Sequence, residues 1–272
     1  MAEVAVFLCT HNGARHLQDQ LESVTGQQHV DVSLWVSDDH SSDTTLDLLT
    51  SWRNSHPERK VQVVSGPGRG YAANFLSLAC DPKIQSEYYA YCDQDDVWDS
   101  DKLSRATARL STVPENVPAL YCGRTRAISA SGDFIGASPL FSRTPGFANA
   151  LIQNIAGGNT MVLNSGARNL LVSGGLVDVV AHDWWTYLLV SGAGGKVMYD
   201  PEPSVSYRQH HNNLVGVNTG PKRRILRYRG FLQDRNRRWN ARNVAALETC
   251  RSLLTGESRA LLTDFSELRS SS

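Results

Sequence analysis

The chain has 272 residues, 41% of them hydrophobic and 20% charged, which excludes a disordered chain and leaves room for one large α/β domain or two fused half-domains with a real core. The formal net charge is zero but unevenly placed: residues 1–216 carry 15 basic and 22 acidic side chains, residues 217–272 carry 12 basic and 5 acidic. An acidic body disfavours nucleic acid as the main ligand and suits a protein that binds a divalent cation.

From the N-terminus, Val4-Ala5-Val6-Phe7-Leu8-Cys9 is a continuous apolar run, the mark of a buried parallel strand. The turn Thr10-His11-Asn12-Gly13 follows, then a helix from His16 to Val24 with Leu17, Leu21 and Val24 in register. A second strand runs from about Val32 to Ser37 and ends in Asp38-Asp39; Ser41, Ser42 and Asp43 suit the cap of a helix that buries Leu46, Leu49 and Trp52. Val61 to Val64 is a third strand, Gly66-Pro67-Gly68-Arg69-Gly70 a loop, and Tyr71 to Ala79 a third helix. Tyr88 to Cys92 is a fourth strand, ending in Asp93-Gln94-Asp95-Asp96. Such a β-α-β-α-β-α-β run predicts a parallel sheet with helices on both faces, whose ligands bind beyond the carboxyl ends of the strands. Three of the four strand ends carry polar groups: Thr10 and Asn12, Asp38 and Asp39, Asp93 and Asp95.

The second half is less regular. Asp101 to Leu110 reads as a helix, Ala119 to Ser129 as a strand, Thr160 to Leu163 as a strand behind Gly157-Gly158-Asn159, Asp183 to Val190 as an aromatic-rich helix, and Tyr199 to Tyr207 as a strand interrupted by proline. Residues 216–222 form a linker into a basic segment of helical character. The five cysteines are odd in number and form no Cys-x-x-Cys pair, so they read as buried reduced thiols of a cytosolic protein, with no zinc site. No signal peptide is expected ahead of Val4, and no apolar stretch approaches the roughly 20 residues that span a bilayer.

Three carboxylates in the four residues Asp93-Gln94-Asp95-Asp96 repel one another unless a cation or hydrogen bonds compensate. Their hard oxygens suit Mg²⁺ or Mn²⁺, which can bridge two phosphates; as an isolated Asp-x-Asp the same string is more often a solvated turn. Asp38 can accept a hydrogen bond from a pyrimidine N–H, while Asp39 or Asp43 suits a helix cap. His182-Asp183-Trp184-Trp185 sets a carboxylate at the start of an apolar helix beside two rings: a cap, or a general base with an adjusted pKa next to rings that suit a sugar. Paired tryptophans are also ordinary core. Tyr207-Arg208-Gln209-His210-His211-Asn212-Asn213 is a dense donor set for a metal or diphosphate, with His210 the favoured contact. Lys222, Arg223, Arg224, Arg227, Arg229, Arg235, Arg237, Arg238 and Arg242 lie among apolar residues; they suit a solvated helical face, or contact with anionic lipid headgroups or acceptor phosphates.

In this order the motifs resemble the family-2 glycosyltransferases of GT-A fold over about residues 3–215, and Cys92-Asp93-Gln94-Asp95-Asp96-Val97-Trp98, His182-Asp183-Trp184-Trp185 and Tyr207-Arg208-Gln209-His210 resemble the bacterial rhamnosyltransferase branch. The resemblance implies an α/β, Rossmann-like, mostly parallel central sheet flanked by helices: residues 1–98 bind the nucleotide-sugar, 99–215 the acceptor, and 216–272 form a basic helical extension. It implies that Thr10, Asn12, Asp38, Asp93, Gln94 and Asp95 bind the donor, that Asp95 and His210 hold Mg²⁺ or Mn²⁺, and that Asp183 is the base of an inverting displacement. Gly158, Asn159, Trp184 and Trp185 then line the acceptor site. The implied donor is dTDP-L-rhamnose, with a UDP-hexose as the alternative, and the implied acceptor is a glycan or lipid-linked glycan of cell-surface polysaccharide or lipopolysaccharide. With neither a signal peptide nor a membrane span expected, the expected location is the cytoplasm, with peripheral contact to the inner face of the plasma membrane through the basic segment.

Two departures from the family pattern stand out. No Gln-x-x-Arg-Trp string occurs, which argues against a processive polymer synthase, and His182 stands where relatives commonly have Glu before the base. A sugar nucleotidyltransferase would need a glycine-rich, basic N-terminal loop, and residues 10–15 hold one glycine. A non-catalytic carbohydrate-binding protein would have no need of Asp183.

Overall fold

The computed structural model describes residues 1–209 and 234–270. The first half follows the expected alternation: β1 (Ala2–Thr10), α1 (Leu17–Thr25), β2 (Val30–Asp38), α2 (Thr45–Ser55), β3 (Lys60–Ser65), α3 (Tyr71–Ala79) and β4 (Tyr88–Cys92). The apolar run of β1 is buried on both faces by strict alternation. Val4, Val6 and Leu8 face the core beneath α1, where Leu17, Leu21 and Val24 pack. Ala5, Phe7 and Cys9 face the opposite core with Phe75, Leu76 and Ala79 of α3. Each fully buried aliphatic side chain contributes about 2 kcal/mol. In α2, Leu49 is buried as expected and Trp52 packs at the margin of the core, but Leu46 is 44% exposed; its place beneath the helix is taken by Thr45.

The second half supplies β5 (Val97–Trp98), α4 (Lys102–Leu110), β6 (Ala119–Gly123), β7 (Arg126–Ile128), β8 (Phe134–Ala137), α5 (Phe147–Ile152), β9 (Val162–Asn164), α6 (Ser165–Gly174), α7 (His182–Gly192), β10 (Lys196–Asp200), β11 (Val205–Arg208), α8 (Asp234–Thr249) and α9 (Gly256–Ser270). The main sheet runs β10-β6-β9-β4-β1-β2-β3. All its pairings are parallel except those of β9, which lies antiparallel between β4 and β6. A smaller sheet, β5-β11-β7-β8, stands beside it.

Two expected strands are each divided between the sheets. The segment 119–129 gives β6 to the main sheet and β7 to the small one, and the segment 199–207 is cut between β10 and β11 around Pro201 and Pro203. Proline has no N–H for a ladder, so the chain changes partners there. The helix α8 has one face buried through Asn240, Asn243, Ala246 and Leu247, so it is part of the core beside α7 and not a solvated rod.

Candidate active site

Sheet order places the ends of β4, β1 and β2 side by side. Thr10 pairs with Asp38 in the ladder, and Leu8 with Cys92, so Asp93 emerges next to them. The Thr10 hydroxyl donates to Asp38 Oδ1 at 2.8 Å, and Asp38 also accepts from the Ser41 hydroxyl at 2.6 Å and the Ser41 N–H at 2.9 Å. Three accepted bonds leave a carboxylate capacity for about one more donor. Asp39 turns the other way. It accepts from the N–H groups of Gly68 at 2.6 Å and Gly70 at 3.0 Å, pinning the glycine loop to the end of β2.

The turn after β1 is held from both sides. Asn12 adopts a left-handed φ of 50°, and its Oδ1 accepts from the N–H of Ser42 at 2.8 Å and of Asp43 at 3.3 Å. Gln94 clamps the main chain of His11, accepting from its N–H at 2.8 Å and donating to its carbonyl at 3.1 Å. A Cβ on Gly13 would overlap the Gln94 side chain, so glycine is what permits this clamp. The amide of Gln94 and the carbonyl of Asn12 are therefore committed to shaping the crevice.

Within the acidic turn, Asp93 and Asp95 are half-buried and Asp96 is fully buried. Asp96 accepts from Asn159 Nδ2 at 2.5 Å and the Arg208 N–H at 3.1 Å, and its own N–H donates to Gln20 at 2.9 Å. The Arg208 guanidinium donates to the Asp95 carbonyl at 3.1 Å and to Asp19 at 3.0 Å. Arg208, a diphosphate candidate by sequence, is instead a buried brace beneath the turn. Desolvation, then the neighbouring Asp96, Asp95 and Asp183 carboxylates, hold the Asp93 carboxyl well above the ordinary range. No hydrogen bond offsets this among the described residues.

That donor set fits a hard divalent cation. Among the described residues no three His, Cys, Asp or Glu side chains form a ready-made metal cage. Magnesium-type sites commonly use one or two carboxylates and complete the shell with substrate phosphates and water, and the half-buried Asp93 and Asp95 are carboxylates in that number. His210 lies outside the described residues, as does the basic stretch from Lys222 to Arg229.

Asp183 sits in the first turn of α7, where the helix dipole favours an anion. It accepts from the Gly158 N–H at 3.1 Å and the Trp184 N–H at 2.6 Å. Burial nonetheless raises its carboxyl to about 6, these bonds opposing the rise. The adjacent His182 is stacked on Phe75 at 3.8 Å between ring centroids and meets Tyr91 edge-on at 4.7 Å. Burial pushes its imidazole down to about 3, so it is neutral.

The four residues assigned to the acceptor by sequence hold the framework of this site. Gly158 gives its N–H to Asp183, and Asn159 its amide to Asp96. The Trp184 indole N–H donates to the Ala150 carbonyl at 2.7 Å, and Trp185 is fully buried. Neither ring turns a face to solvent, because both belong to the core between α5, α6 and α7. From α8, Trp239 meets Trp184 edge-on at 6.4 Å, Arg242 pairs with Asp178, and Asn243 accepts from the Val180 N–H at 3.4 Å. Sequence reasoning counted Asp96 among the acidic turn's carboxylates without its bracing role, and it did not single out Tyr71 or the α8 contacts; Tyr71, as an aromatic next to a glycine loop, left a local signal.

Residues 5–168 match the family described as Glycosyl transferase family 2. The curated dTDP-rhamnosyl transferase RfbG of Shigella flexneri is 28% identical over 235 residues, covering 81% of this chain and 77% of that protein. Among solved structures, the mannosyltransferase PcManGT from Pyrobaculum calidifontis in complex with GDP-Man and Mn²⁺ superposes with a TM-score of 0.58 at 20% identity, over 97% of this chain and 79% of that one. The S. aureus TarS 1–349 complex with UDP-GlcNAc superposes with a TM-score of 0.59 at 14% identity, over 79% of this chain and 62% of that one.

Proposed function

The chain belongs to glycosyl transferase family 2 and has the GT-A fold, and on that premise we propose an inverting, metal-dependent transfer of L-rhamnose from dTDP-L-rhamnose to a glycan or lipid-linked acceptor of cell-surface polysaccharide or lipopolysaccharide. One observation carries the reading: the adjacent residues Gly158 and Asn159 bond to Asp183 at the start of α7 and to Asp96 in the acidic turn after β4, so one short turn ties the proposed base to the proposed diphosphate site.

In this reading residues 1–98 are the donor half, 99–215 the acceptor half, and 216–272 a basic extension. Thr10 and Asp38 meet the nucleotide, while Asn12 and Gln94 shape its pocket through the turn they hold. Asp93 and Asp95 face the diphosphate. Mg²⁺ or Mn²⁺ held there, by Asp95 foremost and His210, would neutralise the charge that grows on the departing dTDP. Asp183 takes the proton of the acceptor hydroxyl, whose oxygen bonds to the anomeric carbon as the bond to the diphosphate oxygen breaks on the opposite face. With a carboxyl of about 6, Asp183 is ionised at neutral pH and still basic enough to share that proton. The donor sugar rests on the likeness to the Shigella flexneri enzyme.

No helix among the described residues is long and apolar enough to cross a membrane. We place the enzyme at the cytoplasmic face of the plasma membrane through the basic segment.

The test is turnover of a panel of dTDP-, UDP- and GDP-sugars with Mn²⁺ and membrane or glycan extracts as acceptor. Release of dTDP from dTDP-L-rhamnose, with an α/β configuration at the new bond opposite to that of the donor, is the expected outcome. Turnover of UDP-hexoses alone would replace the donor; retention of configuration would remove the single-displacement role of Asp183.

A further inference from the structure

Trp184 and Trp185 are turned into the core, whereas Tyr71, among the described residues, keeps an exposed ring beside the head of α7. It starts α3 directly after Gly70, whose φ of 86° turns the chain out of the glycine loop. Asp39 pins that loop through Gly68 and Gly70. The Tyr71 hydroxyl donates to the Val180 carbonyl at 3.1 Å, three residues before Asp183. Its ring meets His182 edge-on with centroids 6.0 Å apart, and His182 is itself fixed on Phe75. The residue is therefore held at its backbone, its tip and one edge, yet it stays 38% exposed. Through Gly70 and Asp39 the residue is tied to the end of β2, and through Val180 and His182 to the head of α7 that carries Asp183; burial first, then the Asp183 and Asp93 carboxylates, push its hydroxyl up to about 12.

A sugar leaving a diphosphate at Asp93 for a hydroxyl at Asp183 lies beside the two carboxylates whose charge reaches Tyr71. Its polar edges find partners in the crevice, but one face of a pyranose is largely C–H, and a 6-deoxyhexose adds a methyl group. A fixed, amphipathic ring offers such a face apolar area at little cost in conformational freedom. We propose that Tyr71 is the platform for the transferred sugar, a residue that determines specificity for the glycosyl group and not for the nucleotide. The inference rests on the reading of Asp93 and Asp183 given above.

The experiment compares binding of a nucleoside diphosphate with binding of its sugar conjugate, by calorimetry with Mn²⁺. Wild type is first screened with dTDP, UDP and GDP and their sugars; if no nucleotide or conjugate binds, the donor reading falls and the platform falls with it. For the pair that binds, Tyr71→Phe should keep the preference for the conjugate over the bare nucleotide. Tyr71→Ala and Tyr71→Leu should lose about tenfold of conjugate affinity while bare-nucleotide affinity stays within about twofold, which also shows that the variants are folded. A preference left intact in both Ala and Leu variants overturns the proposal, as does an equal loss for nucleotide and conjugate, the mark of a purely structural role. Loss in the Phe variant as large as in the Ala variant would assign the effect to the hydroxyl and overturn the platform as well.

Discussion

Gly158 donates its main-chain N–H to the Asp183 carboxylate at 3.1 Å, and it can do so because it has no side chain: a Cβ there would collide with the His182 imidazole, which is wedged against Phe75. The short 3₁₀ turn Gly158–Thr160 and the start of α7 are thereby locked together. Gly158→Ala should push the two apart. The expected result is a fall in kcat of about tenfold to a hundredfold, since displacements near 1 Å at a reacting group have that effect, with nucleotide affinity retained. Steady-state kinetics beside dTDP titration checks it; unchanged kcat would mean that the contact does not position the base.

Asp183→Asn removes the proton acceptor and keeps the shape; its single amide oxygen can keep one of the two N–H bonds that Gly158 and Trp184 give to separate carboxylate oxygens. Turnover should drop by about 10²–10⁴-fold while donor-nucleotide affinity stays near wild type. Loss of nucleotide binding in this variant would assign the residue to the donor site instead.

The acid side of the pH profile should report the same group. Burial raises the Asp183 carboxyl to about 6, and only the ionised form accepts a proton. Activity should therefore be low below pH 6, rise through about 6 and level off above it. A profile flat from pH 5 to 8 would exclude Asp183 as the titrating base.

Removing the divalent ion should silence the enzyme. EDTA treatment should abolish transfer, Mn²⁺ or Mg²⁺ should restore it, and Asp95→Ala should abolish metal-dependent binding of dTDP while weaker metal-free binding persists. Calorimetry with and without the ion measures this; full activity in EDTA would take the metal out of the reaction.

Asp96 should behave differently from its neighbours. It is buried, and its oxygens already serve Asn159 and the Arg208 N–H. Asp96→Ala leaves these donors without an acceptor, which costs about 1–3 kcal/mol for each buried group. The variant should lose about 3 kcal/mol of stability in urea denaturation, a change that Asp95→Ala, with its half-buried side chain, should not match.

Lys222, Arg223, Arg224, Arg227 and Arg229 precede α8 in the chain. Replacing all five by Ser should abolish sedimentation with vesicles containing phosphatidylserine at low salt, and unchanged sedimentation would refute lipid contact through this segment. Truncation is the poorer test, because α8 and α9 bury Leu247 and Leu262 in the core and their loss would expose it.

Local patterns along the chain dictate the alternating first half of the sheet and the polar strand ends. An apolar run such as Val4 to Cys9 and the spacing of Leu17, Leu21 and Val24 are properties of neighbours in the chain, and they dictate a buried strand and an amphipathic helix wherever the segment lies. The acidic turn after β4 and the carboxylate at the head of α7 were legible too, the former from composition and the latter mainly through resemblance to a family. The tertiary structure alone decided which of these polar groups are free to act. Asp96 meets Asn159 and Arg208 from 63 and 112 residues away, and Gln94 meets His11 from 83. No local pattern announces such partners, because a donor is committed or available only once distant strands have chosen their neighbours. For the same reason the antiparallel β9, the split of 119–129 between two sheets, the burial of Trp184 and Trp185 and the exposed ring of Tyr71 became visible only in the folded chain.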